Sequence, residues 1–365
     1  MRMQTSAAER RVVPITVKGR RGTAAFEASP GETLLEAALR QGADVPYSCG
    51  SGSCGLCKAR VTSGSVEKLW PEAPGYGRKP KNDEALLCQC AAAEPGEGGT
   101  LELALNGASA ALCPPETCPR RFGARILRAE PIGDGLLEIE FMLDRPIRYA
   151  AGQFGLFYFP GIAGGRAFSF AAPPPAEGTN HVLLVVKRKP GGPATERLFA
   201  PDAVGSRLEM FGPLGHTTFA PAREEDLLCV AGGSGLSLGL SIMGAAALAG
   251  HFLGHRGTLV IGMRRSTDLA SLAPLGAIAE TAGPGLRVLV ALSDEGAAPP
   301  ADWEVPGVKV VAGFAHDVMR GVMAGDYAGH VAYVAGPPPM IQAVQRVLLL
   351  EGRLPAGDIR CDTFY

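Results

Sequence analysis

Cys49, Cys54 and Cys57 fall within nine residues of the stretch Y-S-C-G-S-G-S-C-G-L-C-K, and Cys88 follows after thirty more. C-x4-C-x2-C with a distant fourth cysteine is the plant-type [2Fe–2S] spacing. Two irons and two sulfides held by four thiolates carry net negative charge, so the chain must aim backbone N–H groups at sulfur. Gly50, Ser51, Gly52, Ser53 and Gly55 add little bulk, which lets the backbone curl that tightly. The competing readings are a zinc site and free thiols. Structural zinc favours two C-x2-C halves, and Cys54 with Cys57 makes one of them alone. The spacing favours Cys88 over Cys90 as fourth ligand. Cys113 and Cys118 repeat the x4 spacing, but the prolines between them cannot donate to sulfur, so both read as linker thiols.

Three further patterns suit flavin and nucleotide chemistry. In G-G-R-A-F-S-F, Arg166 offers a planar fork for a diphosphate, and Phe168 and Ser169 an aromatic face and a hydroxyl of the kind a flavin ring and its N5 use, with Ala167 between them; an ordinary strand is the commoner reading of four such residues. In V-V-K-R-K-P-G-G-P-A-T-E-R, a strand bearing Val186 and Lys187 runs into a turn at Gly191 and Gly192. A helix is expected to open at Thr195, where free N–H groups suit the same diphosphate. After the apolar run L-L-C-V-A comes G-G-S-G-L, with Gly233, Gly235 and Leu236 placed to let a phosphate approach the next helix. A tight structural turn explains that last pattern equally well on spacing alone.

Stepping out from these residues, the elements around them fall into three rhythms. From Val12 to Glu27, apolar alternation around Lys18–Gly22 predicts a hairpin, and Glu32–Gln41 carries helical spacing that Gly42 ends. Ala59–Thr62 and Leu101–Leu105 read as strands. Residues 12–106 thus form a small α+β fold and 107–121 a Pro-rich linker. Evenly spaced strands over 122–222 predict a barrel. Over 223–365, apolar strands alternate with helices, the rhythm of a doubly wound parallel sheet. Leu227–Leu253 carries no Asp, Glu, Lys or Arg; the G-G-S-G interruption predicts a buried strand, turn and helix rather than a membrane span.

The totals narrow the class. In 365 residues, 46% are apolar and the formal net charge is −1, which argues against nucleic-acid or membrane-surface binding driven by bulk charge. Nine cysteines and no apolar leader-type run at the start predict a reducing cytoplasm.

Residues 46–90, from P-Y-S-C-G through L-W-P-E-A-P-G to L-L-C-Q-C, resemble the ferredoxin domain of the reductase components of multicomponent oxygenases. The order of cluster, flavin and nicotinamide parts is similar to that of carbazole dioxygenase and toluene monooxygenase reductases, within the ferredoxin-NADP reductase superfamily. The resemblance implies a β-grasp [2Fe–2S] ferredoxin domain, a six-stranded antiparallel β-barrel for FAD and a doubly wound NAD domain. It implies hydride transfer from NADH to FAD and single electrons passed through the cluster to an oxygenase or hydroxylase component, or to an intermediate ferredoxin. It places Arg166, Ala167, Phe168, Ser169, Val186, Lys187, Gly191, Gly192 and Thr195 at FAD. At the nucleotide it places Gly233, Gly235, Leu236, Arg264, Gly336, Pro337, Pro338 and Met340, with Phe364 and Tyr365 against the flavin. It gives Ser169 and Asp362 catalytic roles, and Cys49, Cys54, Cys57 and Cys88 to the irons. Phe168 replaces the family's Tyr, and Ala335 stands where wider relatives often carry Cys. FMN suits the same flavin residues, and Arg265 leaves NADPH open beside NADH. A stand-alone NAD(P)H-dependent flavin or quinone reductase is the alternative enzyme, and a ferredoxin carrier on degenerate nucleotide folds the non-enzyme reading. A monomer without nucleic-acid or membrane partners is expected.

Overall fold

The computed structural model describes residues 12–20, 22–77, 81–93, 99–105, 118–133, 135–294, 299 and 303–362. The chain divides into two compact units, Met1–Arg120 with Ala163–Gly165, and Arg121–Ile162 with Arg166–Tyr365.

In the first unit, β1 (Val13–Gly19) and β2 (Gly22–Ala28) pair antiparallel around the expected turn. Val13, Ile15 and Val17 face inward at the strand period of two. Helix α1 (Leu34–Arg40) starts at a capping box: the Thr33 hydroxyl accepts from the Glu36 N–H, and Glu36 reaches back to the Thr33 backbone. Leu34, Leu35, Ala37 and Ala38 are wholly buried on it. Then come β3 (Lys58–Ser63), β4 (Val66–Lys68), β5 (Glu84–Leu86), β6 (Cys90–Ala92) and β7 (Leu101–Leu105). The five-stranded sheet runs β2-β1-β7-β3-β5, with β1 and β7 parallel, and β4 pairs β6 beside it.

The second unit begins with β8 (Arg120–Gly133), so the strand enters a stretch expected to be linker; the linker's 107–117 lies outside the described residues. Alternation explains the extension, since Phe122, Ala124 and Ile126 are buried and their neighbours exposed. After it come β9 (Leu136–Ile147), β10 (Phe154–Tyr158), β11 (Arg166–Ser169), β12 (Thr179–Lys187), helix α2 (Pro193–Leu198) and β13 (Arg207–Leu214). Their sheet runs β11-β10-β13-β8-β9-β12 around a core of Phe141, Phe157, Phe170 and Met210.

The remaining elements are β14 (Asp226–Gly232), α3 (Leu236–Leu248), β15 (Gly257–Met263), α4 (Ala273–Ala282), β16 (Leu286–Leu292), β17 (Val308–Ala312), α5 (Ala315–Met323), β18 (His330–Ala335), α6 (Pro338–Arg346) and β19 (Ile359–Asp362). They build a parallel sheet of order β17-β16-β15-β14-β18-β19. Strand residues alternate between two cores. Cys229 and Ile261 pack with α3, whereas Val230 and Val260 pack with Met319 and Ile341 of α5 and α6.

Helix α3 is apolar on nearly every side because it is covered on nearly every side. It shares a core with Leu136, Ala151, Ala171 and Val185 of the antiparallel sheet. Ser237 and Ser241, one turn apart and buried, tie it down: Ser237 Oγ accepts from Val185 N at 2.9 Å, and Ser241 Oγ from Gly152 N at 3.3 Å. The uncharged stretch is thus an internal strand and helix, and among the described residues no helix is long and apolar enough to cross a membrane.

Thr33→Ala should cost about 1 kcal/mol through loss of the cap. Hydrogen exchange of the α1 amides is the measurement. Unchanged exchange would assign the helix's stability to packing of Leu34 and Leu35 alone.

Candidate functional site

The four expected cluster cysteines stand as two pairs. Cys49 and Cys54 sulfurs are 3.4 Å apart, and Cys57 and Cys88 sulfurs 3.3 Å. Two thiolates on one tetrahedral ion, at a metal–sulfur distance of about 2.3 Å, stand roughly 3.8 Å apart. Each pair therefore suits one iron after an opening of a few tenths of an ångström. Among the described residues no group of three or more His, Cys, Asp or Glu side chains stands together as on a single ion.

Strand register explains the second pair. Lys58 pairs Leu86 where β3 begins and β5 ends, so Cys57 and residue 87 continue the ladder, and Leu87 N donates to Cys57 O at 3.1 Å. Cys88 follows at once. The first pair is made by the loop. Ser51 N and Cys54 N both donate to Cys49 sulfur at 3.4 Å. The Cys54 thiol's hydrogen bond, aided by these N–H groups, holds the Cys49 pKa well below the usual thiol range; the Cys88 thiol does the same for Cys57.

Glycine is required here. Gly52 and Gly55 have φ of 88° and 76°, and a Cβ on Gly55 would sit 2.8 Å from Gly75 O. Gly75 N in turn donates to Gly52 O at 2.8 Å. This bracing by residues 70–77 left no mark in the cysteine spacing. Among the described residues Cys90 is not paired with another cysteine: its sulfur lies 3.2 Å from the Tyr76 hydroxyl.

The residues expected at FAD lie on β11, at the end of β12 and in the turn and helix after it. Ser169 is buried, while Arg166, Ala167 and Phe168 are half-buried. Burial pulls the Arg166 pKa down. The Phe168 ring meets Phe157 edge-on at 5.8 Å. Helix α2 opens at Pro193 rather than Thr195, because proline's fixed φ suits the first helical position. The Thr195 hydroxyl is used inside the turn, accepting from Lys189 N at 3.1 Å and lying 3.0 Å from Gly192 O. Val186 points into the core, so it can meet a ligand through main chain alone. Lys187 Nζ lies 4.0 Å from Asp268.

The expected nucleotide residues gather at the carboxyl edge of the parallel sheet. A Cβ on Gly235 would sit 2.2 Å from Ala335 O, and one on Gly336 2.5 Å from Met340 Cε. Pro337 and Pro338 cap and open α6, and the side chain of Leu236 is wholly buried. One strand over, Arg264 and Arg265 each stand 3.6 Å from Asp294. The acidic partner at the end of R-V-L-V-A-L-S-D was missed by sequence reasoning.

Asp362 pairs with Ala335 at the same edge and is 6% exposed. Its Oδ2 has no hydrogen-bond partner among the described residues. Burial pushes its pKa up to about 6, with the Thr217 side chain opposing. Thr217 connects this carboxyl to the region of β11. A Cβ on Gly152 would meet Thr217 O at 2.1 Å, and Phe170 N, next to Ser169, donates to Gln153 O at 3.0 Å. Both proposed catalytic groups therefore border one neighbourhood. Phe364 and Tyr365 lie outside the described residues. A cavity of about 300 Å³ elsewhere in this unit, lined by Arg128, Glu140, Tyr149 and His181, includes none of the expected cofactor residues.

Residues 15–93 match the family described as the 2Fe-2S iron-sulfur cluster binding domain. The chain is 35% identical to the ferredoxin–NAD(+) reductase component of an alkene monooxygenase system from Xanthobacter autotrophicus, over 93% of this chain and 97% of that protein. It is 33% identical to the reductase component of a phenol 2-monooxygenase from Pseudomonas sp., over 93% and 91%. Among solved structures it is similar to the ferredoxin reductase in carbazole 1,9a-dioxygenase, with a TM-score of 0.76, 26% identity and coverage of 97% and 99%.

A carboxyl whose pKa is raised on folding contributes most below its unfolded value and loses that contribution as pH climbs through about 6. Asp362→Asn should therefore gain stability relative to the parent between about pH 4 and pH 7, by an amount on the order of 3 kcal/mol. Denaturant unfolding of both proteins across that range tests it. Parallel pH profiles would remove the buried-carboxyl assignment.

Proposed function

The chain belongs to the electron-transfer reductase components of multicomponent oxygenases, and we propose that it feeds electrons from NADH to an oxygenase or hydroxylase component, or to an intermediate ferredoxin. The observation that carries this reading is the pair of two-sulfur sites at 3.4 and 3.3 Å, in a chain that matches such reductases along nearly its full length. When bound, FAD takes a hydride from NADH and the [2Fe–2S] cluster carries electrons onward one at a time.

The chain's part is placement. Cys49 and Cys54 would hold one iron, Cys57 and Cys88 the other, and the loop's N–H groups would offset their negative charge. Arg166 would meet the FAD diphosphate, where an anion offsets the cost of half-burying a guanidinium. The Gly191–Gly192 turn, held in shape by Thr195 and by the bond from Gly192 N to Lys189 O at 2.8 Å, would let the same diphosphate approach without a side chain in the way. Ser169 would donate to the flavin ring, with Phe168 packed beside it.

At the sheet edge, the close crossing of Gly235 and Gly336 would leave room for the dinucleotide, while Pro337, Pro338 and Met340 shape the nicotinamide side. Asp362 would orient the nicotinamide carboxamide from its buried position. On this reading the N-terminal sheet is a β-grasp ferredoxin (12–106), the antiparallel sheet a six-stranded flavin barrel (122–222), and the parallel sheet a doubly wound nucleotide fold (223–365). The flavin and nucleotide parts share one apolar core, which would fix hydride donor and acceptor relative to each other.

Removing one iron ligand separates the two halves of the reaction. Cys54→Ser should keep NADH-driven ferricyanide reduction within about twofold and lower cytochrome c reduction at least about tenfold. Iron and acid-labile sulfide analysis of anaerobically purified parent protein is the companion measurement. Equal loss of both activities would make the cysteine loop structural rather than the electron exit.

Coenzyme choice is assigned to Asp294, whose carboxylate faces both Arg264 and Arg265 and would repel a 2′-phosphate. Asp294→Ser should raise kcat/KM for NADPH relative to NADH by about tenfold. An unchanged ratio in steady-state kinetics would place the discrimination elsewhere.

A further inference from the structure

Tyr76 ends a short 3₁₀ turn, Pro74–Tyr76, that nothing in the cysteine spacing calls for. It is 3% exposed, and its polar groups are spent on the segments that carry the cysteines. Its hydroxyl accepts from Leu86 N at 3.2 Å and lies 3.2 Å from Cys90 sulfur. Leu86 and Cys90 flank Cys88 at two residues on either side. The Tyr76 carbonyl accepts from Lys58 Nζ at 3.0 Å, and Lys58 directly follows Cys57. The preceding residue, Gly75, donates to Gly52 O, between Cys49 and Cys54. One three-residue turn therefore touches all the stretches that bear the four cysteines.

The phenol is engaged on two sides. Its oxygen accepts from Leu86 N–H, and between the hydroxyl and Cys90 sulfur either atom can donate; with the stronger O–H donor spent there, Cys90 sulfur is the acceptor. A phenol bonded on both sides has one orientation. We propose that Tyr76 is a positioning residue for Cys88: it pins the chain before and after that cysteine and sets where its sulfur stands opposite Cys57. Cys90 is then the phenol's acceptor rather than a spare thiol or a ligand. A tyrosine that merely filled the core would be replaced by phenylalanine at little cost, because the ring is all that packing needs.

The inference rests on the reading of the four cysteines as cluster ligands, and the test separates the two. Holoprotein carrying Tyr76→Phe, Cys90→Ala or Cys90→Ser is compared with the parent in iron release to a chelator and in the visible circular dichroism and reduced-state electron paramagnetic resonance of the cluster. Tyr76→Phe and Cys90→Ala should release iron about three- to tenfold faster, as loss of one hydrogen bond implies, with altered spectra. Cys90→Ser, which keeps an acceptor, should stay near the parent, and flavin content should be unchanged throughout. Should Tyr76→Phe fail to assemble, the two Cys90 variants decide the matter. Parent-like iron release and spectra in Tyr76→Phe, or in Cys90→Ala, overturn the proposal. A parent protein without iron would instead overturn the cluster reading itself.

Discussion

Backbone must come closer to backbone than a side chain permits: that constraint governs both functional regions. In the cysteine loop it appears as Gly55 against Gly75, where an added Cβ would meet a carbonyl oxygen at 2.8 Å. Without that contact the loop could not fold back on residues 70–77, and the Cys49 and Cys54 sulfurs would lose the turn that brings them to 3.4 Å. The second pair depends on sheet register instead, since β3 and β5 end their ladder at the point where Cys57 and Cys88 begin. A glycine-braced loop and a strand end thus each supply half of one site. Residues 70–77 join them, which is why a segment without a single cysteine matters to the ligand geometry.

The same constraint recurs at the parallel sheet. Gly235 approaches Ala335 O so closely that its Cβ would stand 2.2 Å away. That approach sets the start of α3 directly beside the end of β18. Helix α3 then carries the consequence outward, because Ser237 and Ser241 bond the antiparallel sheet through Val185 and Gly152. A buried hydroxyl with a backbone partner costs little, whereas one without a partner costs on the order of 1–3 kcal/mol. The two serines therefore specify one seating of the helix, and with it the relation between the sheet that carries Ser169 and the edge that carries Asp362.

Local signals made much of this legible. Cysteine spacing singled out the four thiols that stand as two pairs, alternation marked β1, β2 and β7, and the glycines after L-L-C-V-A marked a strand-to-helix turn. What stayed hidden depends on partners distant in sequence. Tyr76 meets Leu86 and Cys90, and Gly75 meets Gly52, through contacts that no periodicity encodes. The sequence reading expects a helix to open at Thr195, whereas its hydroxyl closes the turn before α2, a local hydrogen bond that competes with any other use. Val186 and Leu236 sit in ligand-facing motifs, yet their side chains belong to the core, because a motif gives position and burial decides direction. The start of β8 at Arg120 was masked by the proline-rich residues before it.

Charge and shape around the cysteine loop bear on what a partner meets there. Residues 1–115 hold 13 basic and 12 acidic side chains, so no net field favours one sign of partner. Two lysines near the loop, among the described residues, are also turned inward. Lys58 bonds Tyr76 O and pairs Glu84 at 3.5 Å, and Lys68 sits over the Tyr76 ring at 5.0 Å. What projects instead is apolar: Leu56, beside Cys57, is 56% exposed, and Trp70, against Gly52, is 39% exposed. The lysines that would otherwise present charge are spent holding the turn that braces the loop. The bracing of the cysteines and the apolar character of Leu56 and Trp70 beside them thus go with the same contacts.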